Sequence, residues 1–137
     1  MILDKGLICS ILIASVFADV ELSKDLDVRM DQINLKCGKE NNFEKKDFYQ
    51  ITHNVPLTKD EIKRYQCFMK CFHQTDGTID QKGFVNFTRV DENLSMLKFD
   101  EEDKKNIIAC FKKIKPVIKC EDVVPVVKCI PQKKKLN

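Results

Sequence analysis

Apolar residues in this chain recur at helical spacing, and strand-like alternation is nearly absent. Leu22, Leu26, Met30 and Ile33 fall on one stripe, with Ser23 placed to cap a first helix and Gly38 to stop it. Asn41 and Asn42 offer a cap for a short second helix reaching about Ile51, with Phe48 and Ile51 turned inward. The third helix has the clearest start. Thr58 and Glu61 form a capping box, in which each side chain satisfies an orphan backbone donor, and Leu57 and Ile62 occupy staple positions. Its stripe is Ile62, Tyr65, Met69 and Phe72, widened by Phe68, and it runs through about Phe72. Asp76-Gly77 and Gly83 mark the following turn. A fourth helix is predicted from about Phe84 to Leu97, with Phe87, Val90, Leu94 and Leu97 on one face. The fifth opens on acidic residues 100–103 and closes on Lys112, Lys113 and Lys115, charges that complement the helix dipole. Its inner stripe is Ile107, Cys110, Phe111 and Ile114, and Pro116 ends it. A last helix lies within Cys120 to Ile130, with Pro125 near its start or kinking it. The pattern predicts an all-α protein, a compact bundle of about six helices.

Ahead of these elements, Leu7 to Phe17 is an apolar run too short to span a bilayer. Lys5 precedes it, and Val16-Phe17-Ala18 fits cleavage after Ala18. Residues 1–18 therefore read as a secretory signal peptide, and residues 19–137 as one mature domain. No second long apolar run appears, so a soluble, secreted, extracellular protein is expected. Cys9 leaves with the leader, which leaves six of the seven cysteines. In an oxidising compartment an even set reads as a disulfide framework rather than as reactive thiols. The net charge of +3 is mildly basic, and acidic and basic residues alternate as on solvated helix faces. Only three arginines are present, without a cluster, which argues against nucleic acid as a partner.

The six cysteines, Cys37, Cys67, Cys71, Cys110, Cys120 and Cys129, are spaced C-x29-C-x3-C-x38-C-x9-C-x8-C. Cys67 and Cys71 lie four apart on the third helix and share a face, so each is expected to reach a different neighbouring element. Spacing alone does not choose among the fifteen possible pairings. Three bridges would each contribute on the order of 2–4 kcal/mol, mainly by restricting the unfolded chain.

Leader, cysteine spacing, Cys67-x3-Cys71 and Cys120-x8-Cys129 together make the chain resemble the insect odorant-binding proteins, the general odorant- and pheromone-binding carriers. The resemblance covers the whole mature chain. It implies six helices around one apolar cavity, and first-to-third, second-to-fifth and fourth-to-sixth bridges: Cys37–Cys71, Cys67–Cys120 and Cys110–Cys129. It also implies reversible, non-covalent carriage of small hydrophobic molecules through an aqueous lymph. Stapled helices can keep open a cavity that an unstapled core would collapse to avoid. Candidate lining residues are Met30, Tyr65, Phe68, Met69, Phe72, Phe84, Phe87, Leu94, Phe111, Ile114 and Val124, although for any one of them ordinary core is the commoner role of such a stripe. Tyr49 and Tyr65 are the candidate hydroxyls for a ligand's oxygen. Delivery to a membrane receptor or an anionic membrane surface, and a state of monomer or weak homodimer, complete the expectation.

Other chemistry finds little support. Aligning Gly77 with the glycine of a calcium loop puts Phe72 and Gly83 at its first and last ligand positions, and neither supplies a carboxylate. A zinc set drawn from Cys67, Cys71, His53 and His73 competes with disulfides and is set aside. No nucleophile–base set has a local signature and no cofactor is implied, so no enzyme is expected. The sequons at Asn86 and Asn93 fall in a predicted helix, where low occupancy is expected. Lys133 to Lys135 read as a solvated tail. The short cationic terminus does not suit the apolar, pH-driven plug of some odorant-binding proteins, and His53 and His73 read as surface residues. The alternative function is a secreted helical interaction protein, cytokine-like or a venom factor, with a filled interior and a working surface.

Overall fold

The capping box at Thr58 starts the longest helix where the sequence places it. Thr58 donates its backbone N–H to Glu61 Oε1 at 2.9 Å, and the Glu61 N–H donates to Thr58 Oγ1 at 3.2 Å. Thr58 holds the Glu61 carboxyl below its ordinary pKa through these bonds. The computed structural model describes residues 24–130. The predicted leader, Ser23 and the Lys133–Lys135 run lie outside them.

Among the described residues there are six α-helices and no strand: α1 Lys24–Glu40, α2 Lys45–Thr52, α3 Lys59–Asp76, α4 Phe87–Met96, α5 Glu101–Phe111 and α6 Val124–Cys129. A short 3-10 segment, Cys120–Val123, leads directly into α6, and Pro125 sits in the first turn of α6, where its missing N–H costs nothing. Helix α3 is the spine. It packs on α1 and on the 3-10 segment, while α5 bridges α4 and α6.

Five helix ends differ from the expected ones, including that of α3, which runs on past Phe72 to Asp76. Helix α1 continues past Gly38 to Glu40, because Gly38 serves a close approach rather than a stop: a Cβ there would lie 2.7 Å from the Phe43 carbonyl oxygen. Helix α2 is capped at Glu44 rather than at Asn41 or Asn42. The Glu44 N–H donates to buried Asp47 at 2.7 Å, while Asn41 Nδ2 donates back to the Cys37 carbonyl of α1 at 2.9 Å. Helix α4 starts at Phe87 rather than at Phe84. The preceding residues form a tight loop in which Asp80 Oδ1 accepts from the N–H groups of Lys82 and Phe84 and the Asn86 N–H donates to Thr78. That loop docks on the chain after α5. Val117 donates its N–H to Gly83 at 2.9 Å, and a Cβ on Gly83 (φ +91°) would lie 2.3 Å from the Val117 carbonyl oxygen. The docking also explains why α5 ends at Phe111, before Pro116 is reached.

The cysteines form Cys37–Cys71, Cys67–Cys120 and Cys110–Cys129, with Cα separations of 5.6, 4.6 and 5.6 Å. These are the pairs that the resemblance implies. Cys67 and Cys71 do reach different elements, so α3 is tied to α1 on one side and to the 3-10 segment on the other.

Candidate functional site

The interior is one continuous apolar core with two regions. The first is aromatic. Phe43 stacks on Phe68 at 4.7 Å, Phe48 meets both rings edge-on, and Tyr65 and Phe72 lie beside them. The second surrounds a cavity of about 60 Å³ between α1, α3, α4, α5 and the residue after α6. Its apolar wall is made by Met30, Phe72, Val90, Leu94, Met96, Leu97, Phe111 and Ile130. Its polar wall is made by His73, Asp76, Thr78 and Asn93.

Helical spacing explains the apolar wall. Val90 and Leu94 lie on the inner face of α4, Leu97 is its C-cap, and Phe111 is the last inward residue of α5. Phe111 and Ile130 each follow a cysteine of the Cys110–Cys129 bridge, which brings the two side chains to one place. The polar wall begins where α3 ends. His73 and Asp76 stand four and seven residues after Met69, on its face of the helix.

Asp76 is 6 % exposed and fully engaged. Its carboxylate meets Arg29 at 2.6 Å and accepts from Thr78 Oγ1 at 2.9 Å and Asn93 Nδ2 at 2.7 Å. Its backbone carbonyl accepts from Arg29 at 2.9 Å and Arg89 at 2.8 Å. A buried carboxylate persists only with such partners. His73 is 4 % exposed, and neither ring nitrogen has a hydrogen-bond partner. Burial pushes its pKa down to about 4, against the opposing pull of the Asp76 charge, so the ring is neutral at pH 7.

Of the candidate lining residues, Met30, Phe72, Leu94 and Phe111 meet at the cavity. Tyr65, Phe68 and Met69 are buried away from it, the first two in the aromatic cluster. Ile114 and Val124 are half-buried outside the wall. Phe84 and Phe87 are 54 % and 41 % exposed, because the tight loop before α4 turns them outward. Tyr49 is exposed and stacks on His53 at 3.8 Å, so neither candidate tyrosine lines the cavity. His73 corrects the expectation of two surface histidines: His53 is exposed and His73 is buried at the cavity wall. Residues that sequence reasoning did not place at the site include His73, Asp76, Thr78 and Asn93, although the spacing from Met69 marks the first two. At the sequons, Asn86 caps α4 by accepting from the Arg89 N–H, and the Asn93 amide is engaged with Asp76.

No described helix is long and apolar enough to cross a membrane. A search of curated proteins and a search of solved structures found no match. The profile of the PBP/GOBP family matches residues 20–133, most of the sequence. The disulfide framework, the helical bundle and that match agree, and the chain belongs to the PBP/GOBP family, the insect odorant- and pheromone-binding proteins.

Proposed function

We propose that this protein is a secreted carrier, with residues 1–18 as its signal peptide, that holds small hydrophobic molecules non-covalently and moves them through aqueous lymph. The observation that carries the reading is the cavity of about 60 Å³, walled mainly by apolar side chains and placed among disulfide-tied helices. Such a space favours an apolar guest by removing its surface from water, and few polar groups suffice to orient it. Three bridges suit an oxidising, extracellular compartment. Family membership supports the carrier class. The bound form is a monomer or a weak homodimer, and unloading takes place at a membrane receptor or an anionic membrane surface.

The test is a titration of the oxidised mature protein with an environment-sensitive apolar fluorophore, followed by displacement with a panel of volatile compounds. Saturation near one probe per chain, with selective displacement, is expected. A second reading takes support from the outward Phe84, Phe87 and Ile118, which suit a helical protein acting through its surface. Absence of saturable binding would favour that reading.

A further inference from the structure

Four of the cavity-wall residues are polar, yet the wall that a guest can touch is made almost entirely of apolar atoms. The polar groups are turned to one another or closed off. The Asp76 carboxylate meets Arg29 at 2.6 Å and accepts from Thr78 Oγ1 at 2.9 Å and Asn93 Nδ2 at 2.7 Å. Asn93 Nδ2 also lies 3.4 Å from Thr78 Oγ1. Arg89 divides between the Asp76 carbonyl at 2.8 Å and Glu92 at 3.1 Å. Both His73 ring nitrogens have less than 1 Å² of accessible surface, so neither is presented to a guest. These contacts tie α1, α3 and α4 together and leave the space beside them lined by carbon and sulfur. We propose that the cavity is a hydrocarbon site, which selects small molecules without a hydrogen-bonding group over oxygenated molecules of the same shape. The proposal rests on the carrier reading and names its ligand class.

Desolvation makes the selection. A hydroxyl or carbonyl gives up its water on entering, and an apolar wall returns no hydrogen bond for it. A hydrocarbon gains from leaving water without that loss. A ketone needs a donor, and the side-chain donors of the wall, on His73, Thr78 and Asn93, are closed off or directed at Asp76. An alcohol can also be met by an acceptor, and the Asn93 carbonyl oxygen lies outside the Asp76 network, so alcohol and ketone are separate arms of the test. Size sets the other limit. The 60 Å³ cavity has room for on the order of five water-sized groups, or a guest of about six heavy atoms. The flexible side chains of Met30 and Met96 in the wall allow somewhat longer guests by repacking.

The test uses the wild-type oxidised protein and two pairs of guests matched in shape, as competitors of the bound fluorophore: 3-methylpentane against 3-pentanol, and 2-ethyl-1-butene against 3-pentanone. In each oxygenated guest the oxygen is central, so that it enters with the chain. Octanol supplies hydrogen-bond partners and cyclohexane does not, and partition into each sets the scale. The affinity ratio of hydrocarbon to oxygenated partner should exceed their ratio of partition from water into octanol, by about tenfold, and approach the ratio into cyclohexane. A ratio at or below the octanol value, in either pair, would mean that the wall supplies a hydrogen bond and would overturn the hydrocarbon site while leaving the carrier intact. No saturable fluorophore binding at all would overturn the carrier reading and the site with it. His73→Phe, which keeps a ring and removes both nitrogens, should leave both ratios within about twofold. A larger ratio in the variant, from selective loss of 3-pentanol or 3-pentanone, would show that the imidazole meets the guest and would also overturn the proposal.

Discussion

The His73 imidazole loses its water on folding, and burial lowers its pKa from 6.5 to about 4. Between those values the unfolded chain binds a proton that the folded chain refuses, so stability rises with pH across that window and is complete above it. Acidification from pH 6.5 to 4 should therefore lower stability, with the Asp76 charge opposing the loss. Urea unfolding from pH 7.5 to pH 4 should show this slope in the wild type and a flatter one in His73→Phe. An unchanged slope in the variant would assign the acid sensitivity to other groups. The two regions of the core make a second residue-scale prediction. Phe111→Ala opens the cavity wall and should weaken ligand binding about tenfold or more, whereas Met69→Ala digs into filled core. Met69→Ala should cost about 2–5 kcal/mol of stability and leave affinity close to that of Lys59→Ala. Fluorophore titration beside chemical denaturation separates the two effects. Which buried residue meets space and which meets a neighbour was not legible from periodicity, since Met69 and Phe72 share a stripe and only Phe72 reaches the cavity.

Elements were more legible than their ends. Thr58 and Glu61 marked the start of α3 because capping is a local bargain between residues three apart, independent of what the helix packs on. Thr58→Ala should destabilise the protein by about 1 kcal/mol, read as a lower midpoint in urea with an unchanged slope. Asp100, read from the sequence only as part of an acidic first turn, caps α5 instead, its side chain accepting from the Asp103 N–H at 2.7 Å. The ends set by partners far along the chain were not readable. Helix α5 stops at Phe111 so that Val117 can bond to Gly83, a contact across more than thirty positions that no local pattern announces. Helix α3 runs on to Asp76 because Gly77, at φ +93°, supplies a left-handed stop, and because Asp76 is held by Arg29 and Asn93 from two other helices.

At the scale of the whole molecule the bridges divide their work. Cys67–Cys120 joins α3 to the 3-10 segment and closes the longer loop, with a sequence separation of 53, while Cys110–Cys129 joins α5 to α6 across 19. Loop-closure entropy makes removal of the longer one cost more stability, by about 1 kcal/mol. Ligand affinity should rank the other way. Cys110–Cys129 sets Phe111 beside Ile130, two residues of the cavity wall, whereas neither residue adjoining Cys67 and neither adjoining Cys120 lines it. Paired Cys→Ala variants of each bridge should therefore show opposite orders: the Cys67/Cys120 variant less stable in urea, the Cys110/Cys129 variant weaker in fluorophore binding at a temperature where both remain folded. Full reduction should abolish binding, since the helices that carry the wall then lose every covalent tie. Affinity losses that simply track stability would mean that the bridges act on the cavity through global folding alone. Helix α4 carries much of the apolar wall yet no cysteine, and is held by its packing and by the Arg89 and Asn93 contacts with Asp76. A cavity with one covalently untied wall can admit a guest by moving that wall while α1, α3, α5 and α6 keep the shape of the rest.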